Sequence, residues 1–181
     1  IEAGKGEAYN MGNALIQVFH PLPWDYSSAN SAKLLRPPIA NSVAAGEGPG
    51  FSNEDSLVFT LVFQGLPGCF EFWGDATGKV VSNVQDSVQQ ISEAVVVKVP
   101  HHGSPESLVF GFYERFLTDS CQGAAVISVG QNSYGHPSPE VIESAKSNGV
   151  SVFRTDVNGA ITVKVRRGGV RVKGFLATRA M

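Results

Sequence analysis

One carboxylate and two neighbouring imidazoles follow apolar segments of the chain, and side chains of these types suit a metal site. Asp75 comes directly after Gly74 at the end of a predicted strand, and His101 and His102 follow a second apolar segment that ends in Pro100. Carboxylate and imidazole are ligands of zinc, manganese and iron. A divalent metal held by such groups makes hydroxide available as a nucleophile near neutral pH. The pattern therefore predicts half of a hydrolytic metal site.

Each of these side chains also has an ordinary structural interpretation. An Asp after a Gly is a common turn residue or helix cap, and a His-His pair is a common feature of loops. Ser104 could cap the helix that is predicted to follow Gly103. His136 lies before Pro137 and could be a helix-entry residue, whereas we expect His20 to be structural. No residue taken alone decides between the two interpretations.

Two further polar segments lie next to predicted strands. Asn53 precedes a long apolar strand, either as a turn residue or as part of the same cleft. Residues 155–159 have the composition of a tight turn between two short strands, and we expect them to be structural.

Predicted strands and helices alternate along most of the chain. The strands are predicted over residues 14–19, 56–64, 69–73, 94–99, 124–129, 150–154, 160–165 and 170–172. Helical segments are predicted over residues 79–92, 107–117 and 139–148. This alternation indicates an α/β architecture with a layered sheet, in which residues 94–99 are buried on both faces. Asp75, His101, His102 and His136 all fall in strand-to-helix connections, where α/β sheets form their sites.

The overall composition is typical of one globular domain, to which we assign residues 1–181. Residues 21–53 are rich in Pro, Ser, Ala, Asn and Gly, and this composition predicts a surface loop or an insertion. No apolar run approaches the roughly 20 residues that a membrane-spanning helix needs. We therefore expect no membrane segment in this chain.

The formal net charge is −2, which gives no electrostatic signature of strong nucleic-acid binding. Basic residues are nevertheless concentrated late in the chain, at Lys164, Arg166, Arg167, Arg171 and Lys173. Because the surrounding residues alternate as in a strand, we expect these side chains to solvate one face of a sheet rather than to form a nucleic-acid surface.

Several short motifs, in this order, resemble one known family. They are NEDSLV at 53–58, GDA at 74–76, VKVPHHGS at 97–104, AVISVG at 125–130, NSYGHPSPEV at 132–141, RTD at 154–156 and GAI at 159–161. Over about residues 53–165 the chain resembles the C-terminal metallo-β-lactamase-type domain of the ComEC family of DNA-uptake competence proteins, and the hydrolases related to it. The Lys98–Ser104 string combined with residues 134–137 is the most specific part of this resemblance.

The resemblance implies an αββα sandwich, of which this chain forms chiefly the C-terminal half. It also implies a site with two divalent metal ions, zinc or manganese. Asp75 would be the carboxylate that bridges the metals. One of His101 and His102 would be a terminal ligand, and the other would contact the substrate phosphate or water.

The remaining site residues are also assigned by the resemblance. His102 and His136 would act in catalysis, and His136 would stand on the substrate side of the metals. Asn53, Ser104 and Tyr134 would bind substrate beside His136.

The function implied is that of a metal-dependent hydrolase, a phosphodiesterase or nuclease linked to DNA uptake, with nucleic acid as its partner. The full-length protein would then include a membrane-channel domain, and this domain would be tethered to the bacterial cell membrane. A free-standing relative would instead be cytoplasmic, so the sequence leaves the location unknown. Related hydrolases also act on lactams, thioesters and phosphocholine esters, and the fold alone does not decide among these substrates.

One departure from the family pattern affects this expectation. The His-x-His-x-Asp-His or His-x-Asp-x-Asp-His motif, which supplies most of the metal ligands, is absent from the sequence. We therefore expect either a fragment whose other half lies upstream, which is the favoured reading, or a degenerate relative. The alternative function is a metal-free module that binds DNA or protein.

Overall fold

The computed structural model describes residues 8–20, 52–88, 94–116 and 122–176, and its main element is a seven-stranded mixed sheet. The strands are β1 (Ala8–Met11), β2 (Ala14–His20), β3 (Val58–Phe63), β4 (Cys69–Phe72), β5 (Ala94–Lys98), β6 (Gln122–Ile127) and β7 (Ser151–Arg154). They lie side by side in the order of the sequence. Neighbours from β1 to β4 are antiparallel, and neighbours from β4 to β7 are parallel.

The other elements are short helices and one hairpin. The α-helices are α1 (Gly78–Val84), α2 (Pro139–Ser147) and α3 (Thr155–Asn158). Turns of 3₁₀ helix cover Asn53–Asp55, Pro100–Gly103, Pro105–Ser107 and Glu114–Phe116. The hairpin consists of β8 (Ile161–Arg166) and β9 (Gly169–Gly174), which form a separate two-stranded sheet.

The large sheet is covered on both faces. Strand β5 reads Ala-Val-Val-Val-Lys, and Val95 and Val97 belong to a larger core that includes α1 and α2 residues. Val96 points to the opposite face, where a smaller core packs against the apolar side of the hairpin. The α/β class is thus confirmed, and so is the prediction that β5 is buried on both faces. Assignment to an αββα sandwich stays an inference from the resemblance.

A buried ion pair closes the larger core at strand β4. Glu71 is 2% exposed, and Arg115 donates two hydrogen bonds to its carboxylate, one of them 3.0 Å long from Nη1 to Oε1. Trp73 Nε1 also donates to Glu71, at 3.0 Å. The guanidinium packs over the rings of Trp73, Phe112 and Phe116. A carboxylate this deeply buried is tolerated because it is paired and hydrogen-bonded.

Three of the predicted elements differ from the observed ones. The helix predicted over residues 79–92 is α1, which ends at Val84, and residues 85–88 are not helical. The helix expected over residues 107–117 is wrong, because the segment forms 3₁₀ turns separated by a bend with Gly111 at φ +83°. Its apolar residues Phe112 and Phe116 are nevertheless buried. The spacing of the apolar residues therefore indicated which side chains are buried but not the type of secondary structure. Residues 155–159 form a single helical turn ended by Gly159 rather than a tight turn.

Most of the predicted insertion at residues 21–53 lies outside the described residues, and the assignment of one domain to residues 1–181 stays a prediction. Within the described parts of the chain, no helix is long and apolar enough to cross a membrane.

Candidate active site

The predicted site residues meet where the parallel strands end. Asp75 follows β4, the two histidines at 101 and 102 follow β5, and His136 follows β6. The ring centroids of His101 and His136 are 5.6 Å apart, and those of His101 and His102 are 6.5 Å apart. The three histidines therefore lie close together at this end of the sheet, and their roles stay predictions.

The turn that carries Asp75 is held by contacts from two neighbouring strands. Gly74 has φ +54°, and a Cβ there would lie 3.1 Å from Cβ of Ser56. Ser56 Oγ accepts a hydrogen bond of 3.1 Å from the Asp75 amide. Lys98 Nζ donates to the Gly74 carbonyl at 2.6 Å and lies 3.6 Å from Asp75 Oδ1. Burial lowers the pKa of Lys98, and the negative charge of Asp75 opposes that shift.

The two histidines occupy a strained turn. His101 and His102 have φ values of 46° and 53°, in the left-handed region that residues with a Cβ rarely adopt. Such conformations cost on the order of 1–3 kcal/mol each and are concentrated at functional sites. The turn is held because the His101 amide donates to Gly74 at 3.1 Å and the Ser104 amide donates to His101 at 2.8 Å.

Ser104 follows this turn and is buried beneath it. Its side chain is 2% exposed, and its Oγ accepts a hydrogen bond of 3.3 Å from the Glu106 amide at the start of a 3₁₀ turn. Ser107 Oγ donates to the Ser104 carbonyl at 2.8 Å. Ser104 thus caps the following 3₁₀ turn, as one of its two interpretations predicted. A contact of Ser104 with substrate stays a prediction.

The imidazole of His102 is oriented by a backbone carbonyl. Its Nδ1 lies 2.5 Å from the Ser128 carbonyl oxygen, which can only accept, so Nδ1 carries the proton. In the neutral ring, Nε2 then has a lone pair, and it lies 3.5 Å from Oδ1 of Asp75. Two acceptors face each other here unless a proton or a cation lies between them.

The separation of these two atoms suits a shared metal better than a hydrogen bond. Hydrogen bonds from nitrogen to oxygen are about 2.7–3.2 Å long. Two tetrahedral ligands, each about 2.0–2.1 Å from one zinc ion, lie roughly 3.4 Å apart. Metal-binding histidines also commonly donate their other N–H to a carbonyl, as His102 does. Asp75 and His102 therefore fit a divalent metal as two of its ligands.

Asn53 brings a third segment to the site. Its Nδ2 lies 3.2 Å from Nε2 of His101, which places the 3₁₀ turn before β3 against the histidine turn. Asn53 therefore belongs to a turn and also contacts His101, and its contact with substrate stays a prediction. Nδ1 of His101 is buried, and no described residue forms a hydrogen bond with it.

A loop between β6 and α2 presents His136 and Tyr134. Asn132 Nδ2 donates to the carbonyls of Gly130 (3.0 Å) and His136 (2.7 Å). Its Oδ1 accepts from the amides of Tyr134 (3.1 Å) and His136 (3.0 Å). The Tyr134 ring is 81% exposed and stacks on His136 at a centroid distance of 5.9 Å. The loop therefore holds an aromatic surface beside the histidines.

The loop borders an open cleft of about 510 Å³ next to His102. Thr155 lines the cleft from the end of β7, and its Oγ bonds both the amide (2.7 Å) and the carbonyl (2.6 Å) of Val129. The sequence reading missed Thr155, Lys98 and Asn132. A lysine at the end of an apolar strand was a signal for Lys98, whereas only the loop conformation reveals the role of Asn132.

Among the described residues, no three His, Cys, Asp or Glu side chains are grouped closely enough to hold a metal together. The described part of the chain thus brings together two side chains, Asp75 and His102, of the types that the sequence predicts as metal ligands.

Comparison with known proteins gives one informative similarity. ComE operon protein 3 of Bacillus subtilis (strain 168) is 32% identical to this chain over 119 residues, which are 65% of the chain and 14% of that protein. The chain therefore spans a small part of that relative's length. No family model matches the chain, and no solved structure matches it.

Proposed function

We propose that this chain supplies part of the active site of a metal-dependent hydrolase of the metallo-β-lactamase type that cleaves phosphodiester bonds in nucleic acid. The observation that carries the proposal is the Asp75–His102 pair, in which Nε2 of His102 lies 3.5 Å from Oδ1 of Asp75 and the ring is fixed by the Ser128 carbonyl. Asp75 and His102 would hold the metal, and further ligands would come from outside the described residues.

When bound, a divalent metal lowers the pKa of the water that it binds and neutralises charge that develops on a phosphoryl group. The chain's own residues have separate tasks. The carbonyl of Ser128 keeps Nε2 of His102 facing Asp75, and Lys98 fixes the turn that carries the carboxylate. His136, which lines the cleft with Tyr134 stacked against its ring, would contact a phosphate oxygen.

The similarity to ComE operon protein 3 supports a connection with DNA uptake. We therefore propose nucleic acid as the substrate and, in the full protein, a membrane-channel domain as a neighbour. A site with two ions, zinc or manganese, is part of the same proposal.

The proposal is tested by metal analysis and a nuclease assay on the full protein, with the variants Asp75→Ala and His102→Ala. Both variants should lose metal and activity together. Full activity and full metal content in both variants would show that the pair is not part of a metal site.

A second candidate is a metal-free module that binds DNA or protein. It is favoured by the ammonium group of Lys98, which lies 3.6 Å from Asp75 and already supplies positive charge to the carboxylate. Titration of the full protein with zinc or manganese separates the two candidates. Stoichiometric metal binding that depends on Asp75 supports the enzyme, and absence of metal binding supports the module.

A further inference from the structure

The outer face of the β8–β9 hairpin carries a dense set of basic side chains. Lys164, Arg166, Arg171 and Lys173 are exposed, while the residues that alternate with them pack towards the large sheet. Arg167 is exposed in the turn between the strands. Residues 160–176 contain these five basic residues and no acidic one. We call the five side chains the basic ribbon.

The basic ribbon is unfavourable for the stability of the hairpin itself. Lys164 lies directly opposite Arg171 in the register, and like charges at opposed positions destabilise a strand pair. No described residue forms an ion pair with any of the five side chains. Solvation of the sheet face, as expected from the sequence, would be served equally well by acidic residues. In a chain with a net charge of −2, the one-sided composition therefore requires another explanation.

The ribbon begins beside the candidate active site. Strand β8 follows α3 directly, and α3 starts with Thr155, which lines the cleft. At the other end, Val170 packs on Gly68, which precedes β4, at the sheet edge opposite the site. Six residues of extended strand cover about 20 Å. The basic side chains therefore extend along one face of the molecule, from Lys173 at the end of the hairpin that lies against α3 to Arg166 and Arg167 at its turn.

We propose that the basic ribbon binds the sugar-phosphate backbone of nucleic acid and so guides a strand towards the cleft. Only the guiding role rests on the proposed function; the binding does not. Lys and Arg side chains bind phosphates without reading sequence. The two strands present Thr162 and basic residues outward, and the exposed apolar side chains of residues 160–176 are Phe175 and Leu176, after β9. These two neighbouring residues do not form the extended apolar face with which an element lies in a membrane surface. Nucleic acid is therefore favoured over an acidic membrane.

The test is the binding of a fluorescent 20-nucleotide DNA, single-stranded and duplex, to the full protein in a chelator at several salt concentrations. Lys164→Gln and the double variant Lys164→Gln/Arg171→Gln should weaken binding. The slope of log affinity against log salt should fall by about 0.7–0.9 for each charge removed. Lys146→Gln is the matched control, because it removes one exposed charge on α2, outside the ribbon. The exchange Lys164→Arg/Arg171→Lys should keep wild-type binding.

Equal effects of Lys164→Gln and Lys146→Gln would overturn the proposal, because the binding would then reflect net charge alone. Binding to vesicles with acidic lipids but not to DNA would also overturn it and identify a membrane surface. The melting temperatures of the Gln variants should be unchanged or higher, since like charges are removed, so a loss of binding is not a loss of folding. Binding is measured in a chelator and cleavage is measured separately with added metal, so the two proposals can fail independently. DNA binding that depends on the ribbon, without cleavage when metal is added, would contradict only the hydrolase.

Discussion

Nε2 of His102 lies 3.5 Å from Oδ1 of Asp75, and the Ser128 carbonyl holds the ring so that this nitrogen faces the carboxylate. The two residues follow different strands, and their approach depends on the parallel pairing of β4 with β5. Their separation is longer than a hydrogen bond and close to that of two ligands on one metal. Removing the charge of Asp75 should therefore weaken metal binding.

Asp75→Asn keeps the shape of the side chain and removes its negative charge. We expect zinc or manganese affinity of the full protein to fall by about 100-fold or more, since changes outside the direct ligands already cost about 10–100-fold. Calorimetric metal titration measures the effect. Asp86→Asn, at an exposed aspartate after α1, is the control and should bind like wild type. Equal metal affinity in the two variants would argue against Asp75 as a ligand.

Tyr134→Ala removes the exposed ring that stacks on His136. Stacking of a base on an aromatic side chain contributes about 1–3 kcal/mol, so the KM for a short single-stranded DNA should rise about tenfold or more. Tyr134→Phe keeps the ring and should retain wild-type KM. Steady-state kinetics on all three proteins decide this. If the Phe variant is as impaired as the Ala variant, the hydroxyl rather than the ring makes the contact.

The sequence predicted which strands the candidate site residues follow. It did not predict how their side chains are oriented. Asp75 and the histidines were placed correctly because apolar strands and the Gly and Pro residues after them are visible as patterns. The orientation of His102 was not predictable, because the Ser128 carbonyl that fixes it belongs to another strand end. The false helix over residues 107–117 arose because the apolar spacing of a buried irregular segment matched a helical period.

Gly103→Ala should destabilise the site by about 1–3 kcal/mol. Gly103 has φ +80°, and an added Cβ would lie 2.6 Å from Cβ of Pro137, so the two histidine loops would be forced apart. Gly130→Ala is the matched control, because nothing lies within 4 Å of a Cβ there. Urea denaturation measures both. A Gly103→Ala protein as stable as Gly130→Ala would show that the loops separate easily.

Arg115→Met should reduce the free energy of unfolding by about 3–5 kcal/mol, because it leaves Glu71 buried without a counter-charge. Adding Glu71→Gln removes that charge and keeps an acceptor for Trp73 Nε1. The double variant should therefore be more stable than Arg115→Met alone. Chemical denaturation of both variants tests this, and simple additivity of the two changes would contradict the role of the unpaired charge.

Asp156→Asn tests a pH dependence. Two hydrogen bonds from the Arg154 guanidinium lower the pKa of Asp156 below its ordinary value of 3.8. The pair therefore stabilises the folded chain above pH 3.8, and this contribution is lost as the pH falls through the lowered pKa. We expect a difference from wild type of about 0.5–1 kcal/mol at pH 7 that disappears in acid. Asp86→Asn, at an exposed aspartate that forms no ion pair with described residues, should give a much smaller difference at either pH.

One side chain, Asn132, satisfies four backbone groups of the loop that carries Tyr134 and His136. The shape of that loop is thus set by Asn132 and by Gly135, which has φ +76°, and not by the side chains of Ser133 and Tyr134. Ser133 and Tyr134 could therefore be replaced while the backbone of the loop keeps its path. The chain therefore has a position at which substitutions can change substrate preference without changing the fold.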